Sequence, residues 1–144
     1  MINREKNILI KYLISLESEA MYPQTRLMGD LSSELFSNKS QMKKLQNIAF
    51  SCNKTVDILD YIKNQTGKDE KKNNWAQKDY GKKLIENLTA LARRRDQLVK
   101  QLEEKNYVVE PGEKQKIYLS LCREFIRHMV AQYLYGREVQ GKYD

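Results

Sequence analysis

Helix breakers are scarce in this chain: two prolines and six glycines in 144 residues. With Lys, Glu, Leu, Gln and Ile plentiful, that scarcity favours an all-α fold, and no strand alternation competes with it. There is a single histidine, His128, so a multi-histidine metal site is excluded. Cys52 and Cys122 stand 70 residues apart without a CxxC or any ligand spacing, which argues against zinc and against a disulfide framework. They are expected as buried, reduced thiols of a cytoplasmic protein. No glycine-rich phosphate loop and no GxSxG occurs, and no carboxylate pair stands out as an acid and a base. No metal or other cofactor is therefore expected. No apolar run approaches the ~18 residues of a membrane span, so no membrane partner is expected. The opening MINREKNILIKYLISL is interrupted by Lys11 and lacks a small-residue cleavage site, unlike a secretory signal.

What is present is helical periodicity. Leu84, Leu88, Leu91, Leu98 and Leu102 recur in steps of four, three, seven and four, one stripe of a long amphipathic helix. The missing leucine position holds Arg95, inside the run Arg93-Arg94-Arg95. At ~100° per residue Arg95 falls on the stripe, Arg94 at its edge and Arg93 on the far side. Such a triplet is either a solvated face with one snorkelling arginine or a basic band offered to phosphate.

Around that stretch the spacing predicts a first helix over 3–20, with Ile8, Leu9, Tyr12, Leu13 and Leu16 inward, ended at Tyr22-Pro23. A short helix follows over 25–36. A long third helix covers 41–64, with Ser40 as its N-cap and Leu45, Ile48, Cys52, Val56, Leu59 and Ile62 on one stripe. Residues 65–74, without an apolar side chain, are expected as a mobile loop. The fourth helix spans 75–105. The last covers 113–136 with Ile117, Leu121, Phe125, Met129 and Tyr133 inward, and 137–144 is expected to fray. The expectation is one domain over 1–144, a bundle of four long helices and one short one.

Charge is uneven on that plan. The net charge is +7, yet residues 1–36 balance at −1, residues 37–74 at +4, residues 75–106 at +3 and the remainder at +1. The surplus belongs to the middle of the chain, as a one-sided contact with a polyanion requires. The candidate phosphate ligands are Lys43, Lys44, Lys82, Lys83, Arg93, Arg94, Arg95, Lys100, Arg123 and Arg127. Contact through them is directed at the backbone of RNA or DNA, because nothing here looks like a base-reading module.

Two resemblances bear on function. Arg123 and His128, in the segment REFIRH, match the R-x4-H signature of helical HEPN ribonucleases. There a basic group stabilises the phosphorane and an imidazole moves the proton. That resemblance implies a metal-independent ribonuclease or an antitoxin-like partner. Against it, the two side chains lie ~140° apart on a straight helix, and Glu124 stands where the family has a small polar residue.

The wider resemblance is to the small helical subunits of type III CRISPR effector complexes. It is carried by Leu121, Cys122 and Arg123 opening the last helix, by Tyr133, Tyr135 and Gly136 near its end, and by KSQMKKLQNI over 39–48. The basic stretch 91–102 is similar to that family's arginine-bearing middle helix. The family's tyrosine-rich middle segment ending in Ala-Gly-Arg-Glu is absent, and an extra N-terminal helical region is present. The resemblance implies a non-catalytic subunit of a ribonucleoprotein complex in antiviral defence. Such a subunit holds the guide–target duplex or a displaced single strand and packs against other protein subunits, copies of itself included. A protein-only helical adaptor with a basic face is the further alternative.

Overall fold

The last helix packs against every other helix. The computed structural model describes residues 2–68 and 73–143, with side chains described over 4–68 and 73–139. Its helices are α1 (Ile2–Ala20), α2 (Tyr22–Leu35), α3 (Ser40–Ser51), α4 (Thr55–Thr66), α5 (Tyr80–Glu104) and α6 (Pro111–Tyr143). A 3-10 turn, Gln77–Asp79, precedes α5, and no strand occurs among the described residues. The all-α class expected from composition is what the chain adopts, with six helices among the described residues in place of five.

The added helix comes from the expected third one, which divides at Cys52-Asn53-Lys54. Cys52 and Lys54 are extended, with ψ of 160° and 134°. The break re-phases the stripe: Ile58 and Ile62 are buried on α4, whereas Val56 is exposed. At the start of α3 the side chain that caps is Asn38, whose Oδ1 accepts from the Ser40 N–H at 2.9 Å. Ser40 itself is the first helical residue. Helix α2 begins three residues earlier than its spacing suggested, with Pro23 in the first turn, where its missing N–H costs nothing.

The leucine stripe of α5 is buried throughout, at Leu84, Leu88, Leu91, Leu98 and Leu102. That helix starts at Tyr80, because residues 73–79 form a turn in which Lys78 and Asp79 take positive φ. It ends at Asn106, left-handed with φ 67°, while the Tyr107 N–H reaches the Leu102 carbonyl and the Asn106 N–H that of Glu103. Helix α6 begins with Pro111, and the Glu110 N–H before it donates to Glu113 Oε1 at 3.2 Å. It remains helical to Tyr143, through the segment expected to fray, and Arg137 there reaches the Ser33 carbonyl at 3.2 Å.

Ile117, Leu121, Phe125, Met129 and Tyr133 are buried as their spacing requires, joined by Cys122, Ile126 and Val130 on a second stripe. Two stripes are what a helix needs when neighbours flank it on several sides. Two polar pairs cross the core. The Tyr133 hydroxyl donates to the Phe36 carbonyl at 2.7 Å, and Tyr80 Oη and Ser32 Oγ share a 2.6 Å hydrogen bond.

Helix α1 corrects an expectation. Leu13 is buried, but Ile8, Tyr12 and Leu16 are 60%, 58% and 46% exposed. Leu9, Ile10 and Ile14 pack on the core beside Leu13, and two charged residues join that inward side. Lys6 Nζ donates to the Val108 carbonyl at 2.6 Å and to Glu113 Oε1 at 2.8 Å, and Glu17 accepts from Arg94 at 2.8 Å. The stripe Ile8–Tyr12–Leu16 faces out.

Candidate nucleic-acid interface

Trp75 gathers three helix ends. Its ring packs edge-on against Phe36, Tyr61 and Tyr80, and its Nε1 donates to Gln41 Oε1 at 3.4 Å. Asn73, in the segment expected to be mobile, instead ties the end of α4: its Nδ2 reaches the carbonyls of Gln65, Thr66 and Lys68. Residues 69–72 of that segment lie outside the described residues. Gly81 lies so close to Thr66 that a methyl group there would overlap the threonine hydroxyl. The start of α3, the end of α4 and the start of α5 therefore share one end of the bundle.

That end carries Lys39, Lys43, Lys44, Lys63, Lys68, Lys82 and Lys83, all exposed. None of their ammonium groups has a hydrogen-bond or ion-pair partner among the described residues. Lys78, in the same region, is held by Glu34 at 2.9 Å. The N-termini of α3 and α5 carry no acidic residue in their first turns, though Asp79 is the N-cap of α5. Lys39, Lys63 and Lys68 are additions to the residues singled out by sequence. The +4 balance of residues 37–74 was the signal for them.

The ten candidates thus separate by what they touch. Lys43, Lys44, Lys82, Lys83, Arg93 and Lys100 are exposed and unengaged among the described residues. Lys82, Arg93 and Lys100 fall on one outer line of α5 at ~100° per residue. The other four are occupied within the protein. Arg94 is paired with Glu17. Arg95 donates to Asp96 Oδ1 at 3.0 Å and lies 5.3 Å from the centre of the Tyr118 ring. Arg123 donates to the carbonyls of Ala49 and Cys52, and Arg127 pairs with Glu124 one turn back. The triple arginine is therefore not a continuous band: its members point to solvent, to α1 and to α6.

Arg123 and His128 are not brought together. The arginine faces the end of α3, while the His128 ring stands edge-on to Tyr22 of α2, with centroids 6.2 Å apart. Cys122 is buried, and burial pushes its thiol up to about 12, so it holds its proton at neutral pH. No group of three or more metal-ligating side chains occurs among the described residues. No described helix is long and apolar enough to cross a membrane. Comparison with protein-family models, with curated proteins and with solved structures gives no match.

Proposed function

We propose that this protein is a non-catalytic, nucleic-acid-binding small subunit of a cytoplasmic ribonucleoprotein effector of the CRISPR antiviral type. In this reading it holds a guide–target duplex or a displaced strand by its phosphates. The observation that carries the proposal is the end of the bundle where seven exposed lysines meet with no internal partner among the described residues. Long, flexible ammonium groups without acidic partners are poor stabilisers of a fold but efficient at releasing counterions from a polyanion. Engagement with other subunits is supported by the outward stripe Ile8–Tyr12–Leu16, on the part of the chain that balances at −1. Catalysis is not part of this reading, since Arg123 is committed to the end of α3 and His128 faces α2.

The test is fluorescence anisotropy with a labelled RNA duplex over a salt series. In the variant carrying Gln at 43, 44, 82 and 83, affinity falls at least ten-fold and the logarithmic salt slope flattens by about 3.6, since each phosphate left without its lysine removes roughly 0.9. An unchanged slope in a folded variant refutes the lysine surface. Cleavage of the RNA that disappears in His128→Ala would put the ribonuclease reading in its place.

A further inference from the structure

We propose that the cleft between α2 and α6 takes one unpaired nucleotide of a single strand, a proposal that rests on the nucleic-acid reading above. The cleft has a volume of about 390 Å³ and is lined by Tyr22 and Arg26 from α2 and by His128, Ala131, Gln132 and Tyr135 from α6. It sits on the flank of α6 that carries His128. Its walls are fixed: a Cβ at Gly29 would stand 2.5 Å from Gln132 Cβ, so the two helices are in backbone contact beside it.

Three aromatic rings border this space. Tyr22 and Tyr135 are 45% and 65% exposed, well beyond what the core needs from them. His128 meets Tyr22 edge-to-face at an interplanar angle of 78°, an arrangement that covers a face of only one of the two rings. Ala131 keeps the floor shallow. Gln132 donates through Nε2 to Asp30 Oδ1 at 2.8 Å, which leaves its own carbonyl oxygen as an acceptor.

The charge at the cleft is a single guanidinium. Arg26 stands one helical turn beyond Tyr22 and has no hydrogen-bond or ion-pair partner among the described residues. Of the acidic groups nearby, Glu124 is paired with Arg127, Asp30 accepts from the Gln132 amide and keeps its charge, and Glu19, without a partner among the described residues, lines the adjoining cleft. Exposed rings beside one free arginine match a base with its phosphate, because every base has a π-face and a guanidinium binds phosphate in a planar fork. Paired bases keep their faces inside the duplex, so the ligand is a strand that has left its partner.

The test uses the full chain with labelled oligouridine, a labelled RNA duplex, and 5-iodouridine in the single strand for photocrosslinking. The double variant Tyr22→Ala, Tyr135→Ala is expected to bind oligouridine about ten-fold more weakly, with duplex affinity within two-fold of wild type. Tyr22→Phe with Tyr135→Phe should retain single-strand affinity, since the rings and not the hydroxyls are used. Crosslinks in the wild-type protein should map to Tyr22 or Tyr135, a result that does not depend on the variants folding. Undiminished oligouridine binding in a folded alanine variant, or crosslinks confined to the lysine-rich end, overturns the cleft and leaves the lysine surface standing. Wild-type protein that binds neither probe overturns both.

Discussion

The guanidinium of Arg123 donates to the carbonyl oxygen of Cys52 at 2.7 Å and to that of Ala49 at 2.8 Å, closing the C-terminus of α3 from the side of α6. The last carbonyls of a helix have no partners within it, and here a side chain from another helix supplies them. Arg123→Met therefore leaves two half-buried carbonyls without a charged donor. It should cost about 2–4 kcal/mol in urea denaturation. Arg123→Lys should recover only part of that, because one ammonium cannot reproduce a fork across two acceptors. Wild-type stability in Arg123→Met would show that the residue is free for another task.

Arg93 and Arg94 are adjacent in sequence and should behave oppositely. Arg94 and Glu17 are 29% and 15% exposed and meet at 2.8 Å across α5 and α1. A double-mutant cycle with Arg94→Gln and Glu17→Gln should give a coupling of about 1 kcal/mol, near the upper end for partly exposed pairs. Arg93→Gln should leave stability within about 0.5 kcal/mol of wild type. It should also flatten the salt slope of RNA binding by about 0.9. Equal effects of the two substitutions on RNA binding would restore the continuous band.

Arg95 has a carboxylate next to it in sequence and a ring beneath it. Arg95→Leu gives up a cation–π interaction of about 0.5–1 kcal/mol and completes the leucine stripe. The two changes nearly offset, so the melting temperature should move by only a few degrees in either direction. A drop of several kcal/mol would mean that Arg95 answers a buried acid, which its present partners do not indicate.

Lys6 and Glu113 join the starts of α1 and α6 at 2.7 Å. The hydrogen bond from Lys6 holds the Glu113 carboxyl below the ordinary carboxylate value, with the Glu110 N–H assisting. Because the folded value lies below the unfolded one, the stabilisation is fully present above about pH 4.3 and is lost as the pH falls through the folded value. The stability gap between wild type and Lys6→Met should therefore narrow in acid. It should not close, since Lys6 also donates to the Val108 carbonyl at every pH. A gap independent of pH would remove Glu113 from the account.

Two tyrosines offer a matched comparison. Tyr133→Phe strands the Phe36 carbonyl in the core and should cost about 1–2 kcal/mol. The Tyr61 hydroxyl is buried without a hydrogen-bond partner among the described residues, and burial pushes its pKa up. Tyr61→Phe should be neutral or slightly stabilising, as read from the denaturation midpoint.

Much of this molecule is determined by sequence alone, wherever apolar spacing and helical period coincide. The buried leucines of α5 and the inward positions of α6 follow from their spacing, as does the all-α class from the scarcity of proline and glycine. The excess of positive charge in the middle of the chain was equally legible. Tertiary structure decided the rest, because a side chain's role depends on what it meets. On α1, Leu9 and Leu13 face inward as expected, but Lys6 and Glu17 pair inward beside them, and Ile8, Tyr12 and Leu16 face out. Arg123 capped α3 from a distance of 71 residues in sequence, where no local pattern could announce it. Of ten basic candidates alike in composition, four are consumed by carboxylates, carbonyls or a ring and six are left to solvent. Hydropathy assigns all ten to the surface. Asp96 and Glu124 lie beside Arg95 and Arg127 on their own helices, but for Arg94 and Arg123 only the packing of the helices places an acceptor there.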